Sequence, residues 1–465
     1  MAEKKKNNII PFVLGFGVLL IGFFLPEMGG ITHTGWRALS VLLFAIIFWA
    51  TEAAPAACTA MAILILLPIL GIRSYEATFS SLGTIMIWRL MAIFIITEAI
   101  KRVGLADRIA YRVIALMKGK VRRTLLCVLL LNFAFSFIIP NSYARTVLLV
   151  TIVISWLHTV GIESPSNIGK AFMIAIPVAS TITASSIIVG ASVDIFAADL
   201  FNTMVGYRWT YFNWLITNAP ICLAMTFVIF FLTITVFKPE TDELGNIEVI
   251  QEKIKTLGPL SQQEKFVICL FIGLMVLWFT DVSERIPAEM LVAFIMVFPS
   301  RLRIMRWKDA MSSVNWPIIL LFGASISMAA SLQSSGIVDW LGVNVFSRFG
   351  GLSVVLIAYL AVAVTVLVRL GMSNMTGAVA TLLPLLITVA KGIGINPVWL
   401  GMICVMSSCV ACFFPAQSAN CLFSYGFGFY NNRDLLRFGL LLFPLFATVL
   451  VLFSLFYWPL VTLPI

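Results

Sequence analysis

The sequence predicts an all-α polytopic membrane protein, with about eleven transmembrane helices and two re-entrant hairpins arranged as an inverted repeat. Of its 465 residues, 61% are hydrophobic and only 11% are charged, and the mean hydropathy is +1.03. A soluble domain carries about 25% charged residues. Two polar turns also interrupt the apolar segments at corresponding places in the two halves of the chain. These observations favour one integral membrane unit over several soluble domains.

The basic residues predict the orientation of the chain in the membrane. Eight of them lie in one short stretch that contains a single acid, Asp107. They are Lys101, Arg102, Arg108, Arg112, Lys118, Lys120, Arg122 and Arg123, and a later cluster contains Arg301, Arg303, Arg306 and Lys308. Because loops rich in Lys and Arg stay in the cytoplasm, we predict a multi-pass protein of the inner or cell membrane with a cytoplasmic N-terminus. This placement accounts for the net charge of +10 without a nucleic-acid partner.

The first half of the membrane unit is predicted at residues 36–237, after an N-terminal helix within residues 1–35. It contains two short apolar arms at 124–158, each shorter than the roughly 20 residues that cross a bilayer. We therefore expect the arms to form a re-entrant hairpin that enters and leaves on the cytoplasmic side. A long apolar segment at 171–205 follows, and a polar stretch near Asp194 breaks it.

The second half is predicted at residues 266–465 and repeats the order of the first. A segment rich in Glu and Lys at 238–265 is predicted to be the cytoplasmic linker between them. The second re-entrant hairpin is expected at 352–390 and the second broken helix at 397–428.

A constant shift in residue number relates the two halves and predicts the pairing of the two turns. The same shift that joins Gly104 to Gly336 also joins Asn141 to Ser373 and Ser142 to Asn374. Because an odd number of spans precedes each matching element, we expect the halves to enter the membrane in opposite orientations. A repeat of this kind determines the fold.

The two polar turns are the predicted binding site for a small anionic substrate. Irregular backbone at membrane depth persists only where protein or a water-filled cavity satisfies its polar groups. The N-termini of half-helices favour anions, and Ser, Thr and Asn side chains add hydrogen bonds. The candidate substrate ligands are Asn141, Ser142, Arg145, Thr146, Ser373, Asn374 and Thr376.

The breaks in the two long helices add more polar groups at corresponding places. These groups are Ser192, Asp194, Gln417, Ser418 and Asn420. Small polar residues also permit close helix packing in lipid, which is the better explanation of one isolated cluster. Four clusters in symmetric positions favour a binding site.

Three arginines, Arg89, Arg145 and Arg369, fall inside apolar segments. A charge inside the membrane costs several kcal/mol unless it faces a cavity or a partner, and an Arg side chain can bind a carboxylate with two hydrogen bonds. Arg145 and Arg369 adjoin the turns, so contact with an anionic substrate is one expectation. Pairing with an acid is the other, and Asp194 is the candidate partner of Arg145. Glu98 and Glu52 are the other predicted intramembrane acids.

Several short motifs resemble the divalent anion/sodium symporter family, which includes sodium-coupled dicarboxylate transporters and bacterial citrate/succinate or tartrate/succinate antiporters. These are Thr51-Glu-Ala-Ala-Pro55, Leu321-Phe-Gly323 through Gly336-Ile337, the two turns, and Tyr425-Gly-Phe-Gly428; Phe237-Lys-Pro-Glu240 and Ala144-Arg-Thr146 resemble the antiporter branch. The resemblance covers nearly the whole chain, although each motif is short.

The resemblance implies an elevator-type transporter that forms a homodimer. A transport domain that holds both hairpins would slide against a scaffold. Asn141, Ser142, Ser373 and Asn374 would contact substrate carboxylates. Gly190 and the region of Ala416 would line cation sites, with Na⁺ as the coupling ion and no other cofactor.

The sequence departs from the family pattern where the cations would bind. Tyr143 is bulky at a close-contact position, Asp194 stands where Asn is common, and Gln417-Ser-Ala replaces Thr-Pro-Pro. The positive charge of Arg145 could act in place of Na⁺, keeping the empty carrier from moving. We therefore favour anion exchange, with Na⁺-coupled symport as the alternative.

The favoured function is secondary active transport of a small di- or tricarboxylate: succinate, malate, fumarate, tartrate, citrate or 2-oxoglutarate. Sulfate is less favoured, although the turns carry donors for any divalent oxyanion. An anion channel is the alternative from another class, because channels also use re-entrant loops. An enzyme or a metal site lacks support, since the two histidines, His33 and His158, lie far apart in sequence. No G-x-x-x-x-G-K-[ST] motif of an ATP-driven pump occurs.

Overall fold

The structure is a computed structural model of the chain, and helices dominate it. It describes residues 9–27, 29–51, 53–115, 120–139, 141–243, 254–256, 258–280, 286–298, 303–344, 351–372, 374–461 and 463–465. Four residues named above, Glu52, Lys118, Arg301 and Ser373, lie outside these ranges. Within them, an isolated β-bridge joins Lys120 and Glu243.

Eleven α-helices in the described residues precede the polar segment at 238–265. They are α1 (Ile10–Phe24), α2 (His33–Thr51), α3 (Ala56–Ile69), α4 (Tyr75–Ser80), α5 (Ile85–Arg102), α6 (Leu105–Ala115), α7 (Val121–Ser136), α8 (Ser142–Thr159), α9 (Asn167–Thr183), α10 (Ser192–Val205) and α11 (Tyr211–Val236). A 3₁₀ turn at Ala184–Ser186 follows α9 directly, in the gap before α10.

The second set of helices begins at Gln262, within the predicted linker, and recurs in the same order as α2 to α11. They are α12 (Gln262–Phe279), α13 (Ala288–Val297), α14 (Trp307–Ser313), α15 (Trp316–Ser334), α16 (Ile337–Asn344), α17 (Val354–Gly371), α18 (Met375–Ile393), α19 (Pro397–Ser407), α20 (Ala419–Tyr425) and α21 (Asn432–Leu452). A 3₁₀ turn at Pro415–Gln417 lies between α19 and α20, and the chain ends in a π-helical turn and α22 (Trp458–Val461).

Packing between the halves is reciprocal. Helix α3 packs on α15 as α13 packs on α5, and α10 packs on α18 as α20 packs on α8. Within each half, α7 packs on α9 as α17 packs on α19. Equivalent helices therefore have equivalent neighbours, as expected of two halves related by a pseudo-twofold axis.

Two groups of helices meet along one boundary. We call α7–α11 with α17–α21 the hairpin bundle, and α1–α5 with α12–α15 the frame bundle. Helix α9 lies at the centre of the hairpin bundle, and every residue from Ala171 to Thr183 is buried. The boundary includes the contact of α10 with α15, where Phe196 meets Phe322 edge to face with ring centroids 5.1 Å apart.

Seven helical segments in the described residues are long and apolar enough to cross a membrane. They are Tyr75–Arg102, Asn167–Ser186, Tyr211–Val236, Trp316–Ser334, Val354–Gly371, Met375–Ile393 and Asn432–Val461, and five apolar helices are shorter. Both arms of the second hairpin are among the seven, and they are longer than the arms that the sequence predicts at 354–368 and 378–389. The helices extend further because Arg369 and Thr376 remain helical beside the turn.

Ion pairs join the two halves at the ends of the helices. Arg108 of α6 lies 2.7 Å from Glu264 of α12, and both side chains are buried. Lys170 of α9 pairs with Asp434 of α21 at 3.0 Å. The Lys170 pair links the two predicted halves, and the Arg108 pair links the first half to the start of α12, so both pairs hold helices from distant parts of the chain together.

Candidate functional site

The first hairpin turn lies about four residues earlier in the chain than the predicted turn at Asn141–Arg145. Helix α7 ends at Ser136, and α8 already begins at Ser142, so Ser142 and Arg145 lie in the first turn of α8. Asn141 is the N-cap, and its Oδ1 accepts a hydrogen bond of 3.0 Å from the backbone N–H of Ala144. Asn is among the best N-cap residues, which is why the helix starts here rather than after Arg145.

The second turn has the same construction. Asn374 caps α18, and its Oδ1 accepts hydrogen bonds from the backbone N–H groups of Thr376 at 3.0 Å and Gly377 at 3.4 Å. By capping role, Asn141 therefore corresponds to Asn374. The pairing of Asn141 with Ser373, predicted from the constant shift, is wrong by a single position. The reason is that the spacing between equivalent helices is one position longer for α7 and α8 than for α6, so the repeat is not strictly regular.

Each turn can donate hydrogen bonds to an anion. Since Oδ1 is used in the cap, the amide nitrogen is the part of each Asn side chain available to a ligand. At the first turn, the N–H groups of Ser142 and Tyr143 also have no acceptor among the described residues. Free N–H groups at a helix N-terminus, with the positive end of its dipole, are a ready site for a carboxylate.

Thr146 and Thr376 are buried rather than placed at the surface of the turns. The Thr146 hydroxyl donates to the carbonyl of Ser142 at 3.0 Å, within α8. This bond steadies the first turn of the helix. Neither threonine lines the cavity described below, although both were predicted as substrate ligands.

Arg145 is completely buried and points at the break in the first long helix. Its Nη2 donates to the carbonyl of Ser180 in α9 at 2.7 Å, while Nε and Nη1 have no partner among the described residues. Ser180 is close to the C-terminal end of α9, where carbonyl groups lose their helical partners. The guanidinium of Arg145 thus places a positive charge beside carbonyl groups at the end of α9, where the helix unwinds.

Asp194 lies in the first turn of α10, across the break from α9, and is also completely buried. Its Oδ1 accepts a bond of 2.8 Å from the Ser185 hydroxyl, and its Oδ2 has no partner in the described part of the chain. Asp194 interacts electrostatically with Arg145, but the two do not form an ion pair within 4.0 Å. The predicted pairing across the site is therefore a longer-range attraction.

Arg369 donates hydrogen bonds to carbonyl groups at the break in the second long helix. Its Nε donates to the carbonyl of Ser408 at 3.2 Å and its Nη2 to the carbonyl of Gln417 at 3.1 Å, and Nη1 donates to the carbonyl of Met372. Its partners in the described residues are carbonyl groups, not an acid. Arg145 and Arg369 therefore act alike, although Arg145 follows its turn and Arg369 precedes its own.

The second break is ordered by its own polar residues. Gln417 donates to the carbonyl of Arg369 at 3.3 Å, and its Oε1 accepts from the N–H groups of Phe413 and Phe414. Ser418 caps α20, and the amide of Asn420 donates to the hydroxyl of Thr181 in α9 at 2.8 Å. Asn420 thereby joins the second break to the end of the first long helix.

The remaining residues predicted to line a cation site differ in exposure. Gly190 is buried, Ser192 is half-buried, and Ala416 is exposed. The first break starts earlier than the sequence predicted, at the end of α9, so Ser192 lies at the start of α10 rather than within the break. No group of three or more His, Cys, Asp or Glu side chains in the described ranges is arranged to hold a metal ion.

A cavity of about 520 Å³ opens beside the first turn. It is lined by Asn141 of the turn, by Tyr143 and Ala144 of α8, by Thr97, Glu98, Lys101 and Asp107 of α5 and α6, and by Phe423 of α20. The Tyr143 and Phe423 rings meet edge to face with centroids 6.0 Å apart, so α8 and α20 share one wall. The cavity does not reach Asn374. In this conformation it gives access to the first turn alone.

Two acids, Glu98 and Glu289, differ from the sequence prediction of which acids lie inside the membrane. Glu98 pairs with Arg102 at 2.9 Å at the end of α5, where it is partly exposed. Glu289 of α13 is, like Asp194, fully buried, and it lies 3.7 Å from Arg89. Glu289 is not among the acids predicted inside the membrane; it lies two residues after Pro287, at the start of an apolar run.

The sequence matches the family described as the sodium:sulfate symporter transmembrane region, over residues 6–463. It is 24% identical over 480 residues to the sodium-dependent dicarboxylate transporter SdcS of Staphylococcus saprophyticus, covering 97% of this chain and 92% of that one. It is 27% identical over 463 residues to a protein of Cupriavidus necator named only as a membrane protein, covering 95% and 90%.

Two solved transporters share the fold. The MtrF protein of Neisseria gonorrhoeae, described as illuminating a class of antimetabolite efflux pumps, gives a TM-score of 0.57 at 13% identity, covering 96% of this chain and 97% of that one. The YdaH transporter of Alcanivorax borkumensis gives a TM-score of 0.56 at 13% identity, covering 92% and 99%. The chain therefore belongs to the sodium:sulfate symporter family, the divalent anion/sodium symporters, and is a polytopic helical membrane transporter rather than an enzyme.

Proposed function

We propose that the protein is a secondary carrier that exchanges small di- or tricarboxylates across the cell membrane, with the two hairpin turns as its substrate site. The candidate substrates are succinate, malate, fumarate, tartrate, citrate and 2-oxoglutarate. One observation carries this proposal: Asn141 and Asn374 cap equivalent helices and leave an amide donor at each turn. Two such turns suit an anion with a carboxylate at each end.

Similarity to relatives supports the substrate class. SdcS proteins of two Staphylococcus species are named as dicarboxylate transporters, and each matches nearly the whole of this chain. The family description names sulfate instead. We favour carboxylates because the donors are spread over two separate turns, whereas sulfate is compact.

The arginines support exchange rather than symport. In sodium-coupled carriers, carbonyl groups of unwound helix coordinate Na⁺. Here Arg145 donates to Ser180, and Arg369 donates to Ser408 and Gln417, all at or near the two breaks. A guanidinium fixed at these carbonyls supplies positive charge without a bound ion. The sodium dependence named for the relatives favours the alternative, Na⁺-coupled symport, with Na⁺ near Gly190 and Ala416.

We further propose that the hairpin bundle slides against the frame bundle in an elevator-type movement. The division into an inverted repeat at 36–237 and 266–465, the re-entrant path of both hairpins, the cytoplasmic N-terminus and a homodimer belong to this proposal. The reciprocal packing of α3 on α15 and α13 on α5 supports it, because symmetric halves allow symmetric inward and outward states.

Transport into liposomes separates exchange from symport. We expect labelled succinate to enter vesicles that contain the purified protein and unlabelled malate, at the same rate with Na⁺ or choline outside. We expect little entry into empty vesicles. Strong uptake into empty vesicles driven by a Na⁺ gradient would establish symport instead. Flux that does not saturate with substrate would indicate a channel, and competition by sulfate but by no carboxylate would reassign the substrate.

Removing the amide donors is expected to weaken substrate binding while the carrier still folds. Replacing Asn141 or Asn374 by Asp keeps an N-cap oxygen but removes the donors and adds negative charge. Because a hydrogen bond to a charged group contributes about 1.5–3 kcal/mol, we expect the Kd for dicarboxylate to rise at least about tenfold. Asn396, which caps α19 away from both turns, is the matched control position. Equal affinity in Asn374→Asp, Asn141→Asp and Asn396→Asp would place the site elsewhere.

A further inference from the structure

A second buried polar cluster lies outside the hairpin turns, around Glu289. The Glu289 side chain is fully buried in the first turn of α13. Its Oε1 accepts hydrogen bonds from the Tyr211 hydroxyl and, at 3.0 Å, from Nε1 of Trp278, and Arg89 lies 3.7 Å from Oε2. The Tyr211 ring also stacks on Trp278, with centroids 4.6 Å apart and an interplanar angle of 14°.

The cluster crosses the boundary between the two bundles. Glu289, Arg89 and Trp278 belong to α13, α5 and α12 of the frame bundle, where α13 packs on both α5 and α12. Tyr211 begins α11 of the hairpin bundle, which packs on α7, α9 and α21. The hydroxyl of Tyr211 is therefore a polar bridge from the bundle that holds the turns to the bundle beside it.

The hydrogen bond between Tyr211 and Glu289 can break without leaving an unpaired charge. An isolated carboxylate in a low-dielectric interior is very costly, and removing one partner of a buried ion pair leaves an uncompensated charge. Here the charged partner of Glu289 is Arg89, and Trp278 donates from the same bundle. Tyr211 contributes only a neutral donor. If the two bundles separate, Glu289 keeps its charged partner Arg89 and the hydrogen bond from Trp278, so no buried charge loses its partner.

We propose that the Tyr211–Glu289 contact is a latch that holds the carrier in the conformation described here, and that each transport cycle must release it. The inference rests on the proposed function, because it assumes that the hairpin bundle moves against the frame bundle. The stacking of the Tyr211 ring on Trp278 orients the hydroxyl toward the Glu289 carboxylate. The hydrogen bond of the latch therefore forms in a single orientation of the ring. It acts on the rate of movement and not on the affinity for substrate.

Replacing Tyr211 by Phe tests the latch, because it removes the hydroxyl and retains the ring that stacks on Trp278. We expect the maximal exchange rate to rise about threefold or more, and the Kd for succinate to stay within about twofold. Amide hydrogen exchange at the start of α11 should become faster.

Tyr457→Phe is the matched control. The Tyr457 hydroxyl donates to the carbonyl of Ile216 at 2.7 Å, so it also bonds α11 but does not reach the frame bundle. Its loss should leave the exchange rate unchanged. An unchanged or lower rate in Tyr211→Phe, or an equal increase in Tyr457→Phe, overturns the latch while the proposed function stands. A wild-type protein that exchanges no carboxylate overturns the proposed function itself.

Discussion

Replacing Arg145 by Gln is expected to abolish Na⁺-independent exchange and to make the residual transport depend on Na⁺. The substitution removes the buried positive charge beside Asp194 and the carbonyl of Ser180. The Asp194 carboxylate would then be buried without the nearby cation that offsets its charge, which is costly in a low-dielectric interior. We therefore expect exchange in choline buffer to fall about a hundredfold or more, with partial recovery at high Na⁺, since the carbonyl and the carboxylate oxygen are then free to coordinate a cation.

Two further variants separate this role from a general loss of structure. Arg145→Lys keeps the charge, so it should retain a larger part of the Na⁺-independent exchange than Arg145→Gln. The double variant Arg145→Gln with Asp194→Asn removes both charges and should recover thermal stability without recovering Na⁺-independent exchange. The measurements are initial exchange rates in Na⁺ and in choline, with melting temperature for each variant. If Arg145→Gln exchanges in choline as the wild type does, the guanidinium does not replace Na⁺.

Replacing Gly190 by Ala is expected to destroy the first break and with it transport. A Cβ atom at Gly190 would overlap the carbonyl oxygen of Ala184 and lie 3.0 Å from its carbonyl carbon. Both obstacles are backbone, which cannot rotate away as a side chain can. Forced overlap in a well-packed interior costs about 1–3 kcal/mol and occasionally more. Here it would displace the backbone of the first break, which separates the side chains of Arg145 and Asp194.

Gly273→Ala is the matched control for this substitution. Gly273 lies inside α12, and nothing lies within 4 Å of a Cβ atom built on it. Because Ala favours a helix interior over Gly by about 1 kcal/mol, Gly273→Ala should keep or raise the melting temperature and leave exchange unchanged. Normal exchange by Gly190→Ala would show that the backbone at the break tolerates displacement, and that transport does not need the close approach of Gly190 to Ala184.

The helices and their order follow largely from the sequence. The first helix, for example, is predicted within residues 1–35 and found at Ile10–Phe24, because sustained apolar runs without polar interruption form helices in a membrane. The family is also predicted correctly, from short motifs spread over both halves. The ends of the hairpin arms are not, since Asn141 and Asn374 could be read as part of the turn or as caps. Only the hydrogen bonds to Ala144 and Thr376 distinguish the two.

The sequence by itself determined that this is a helical membrane transporter of repeated design, because hydropathy and residue spacing are properties of short segments. The tertiary structure alone decided what each buried charge contacts. Arg369 meets three carbonyl groups, Arg145 meets Ser180 beside Asp194, and Arg89 meets Glu289. Such partners can lie in opposite halves of the chain, as Arg89 and Glu289 do, so no local pattern specifies them. They are fixed only when the helices pack and each charge must find a partner out of water.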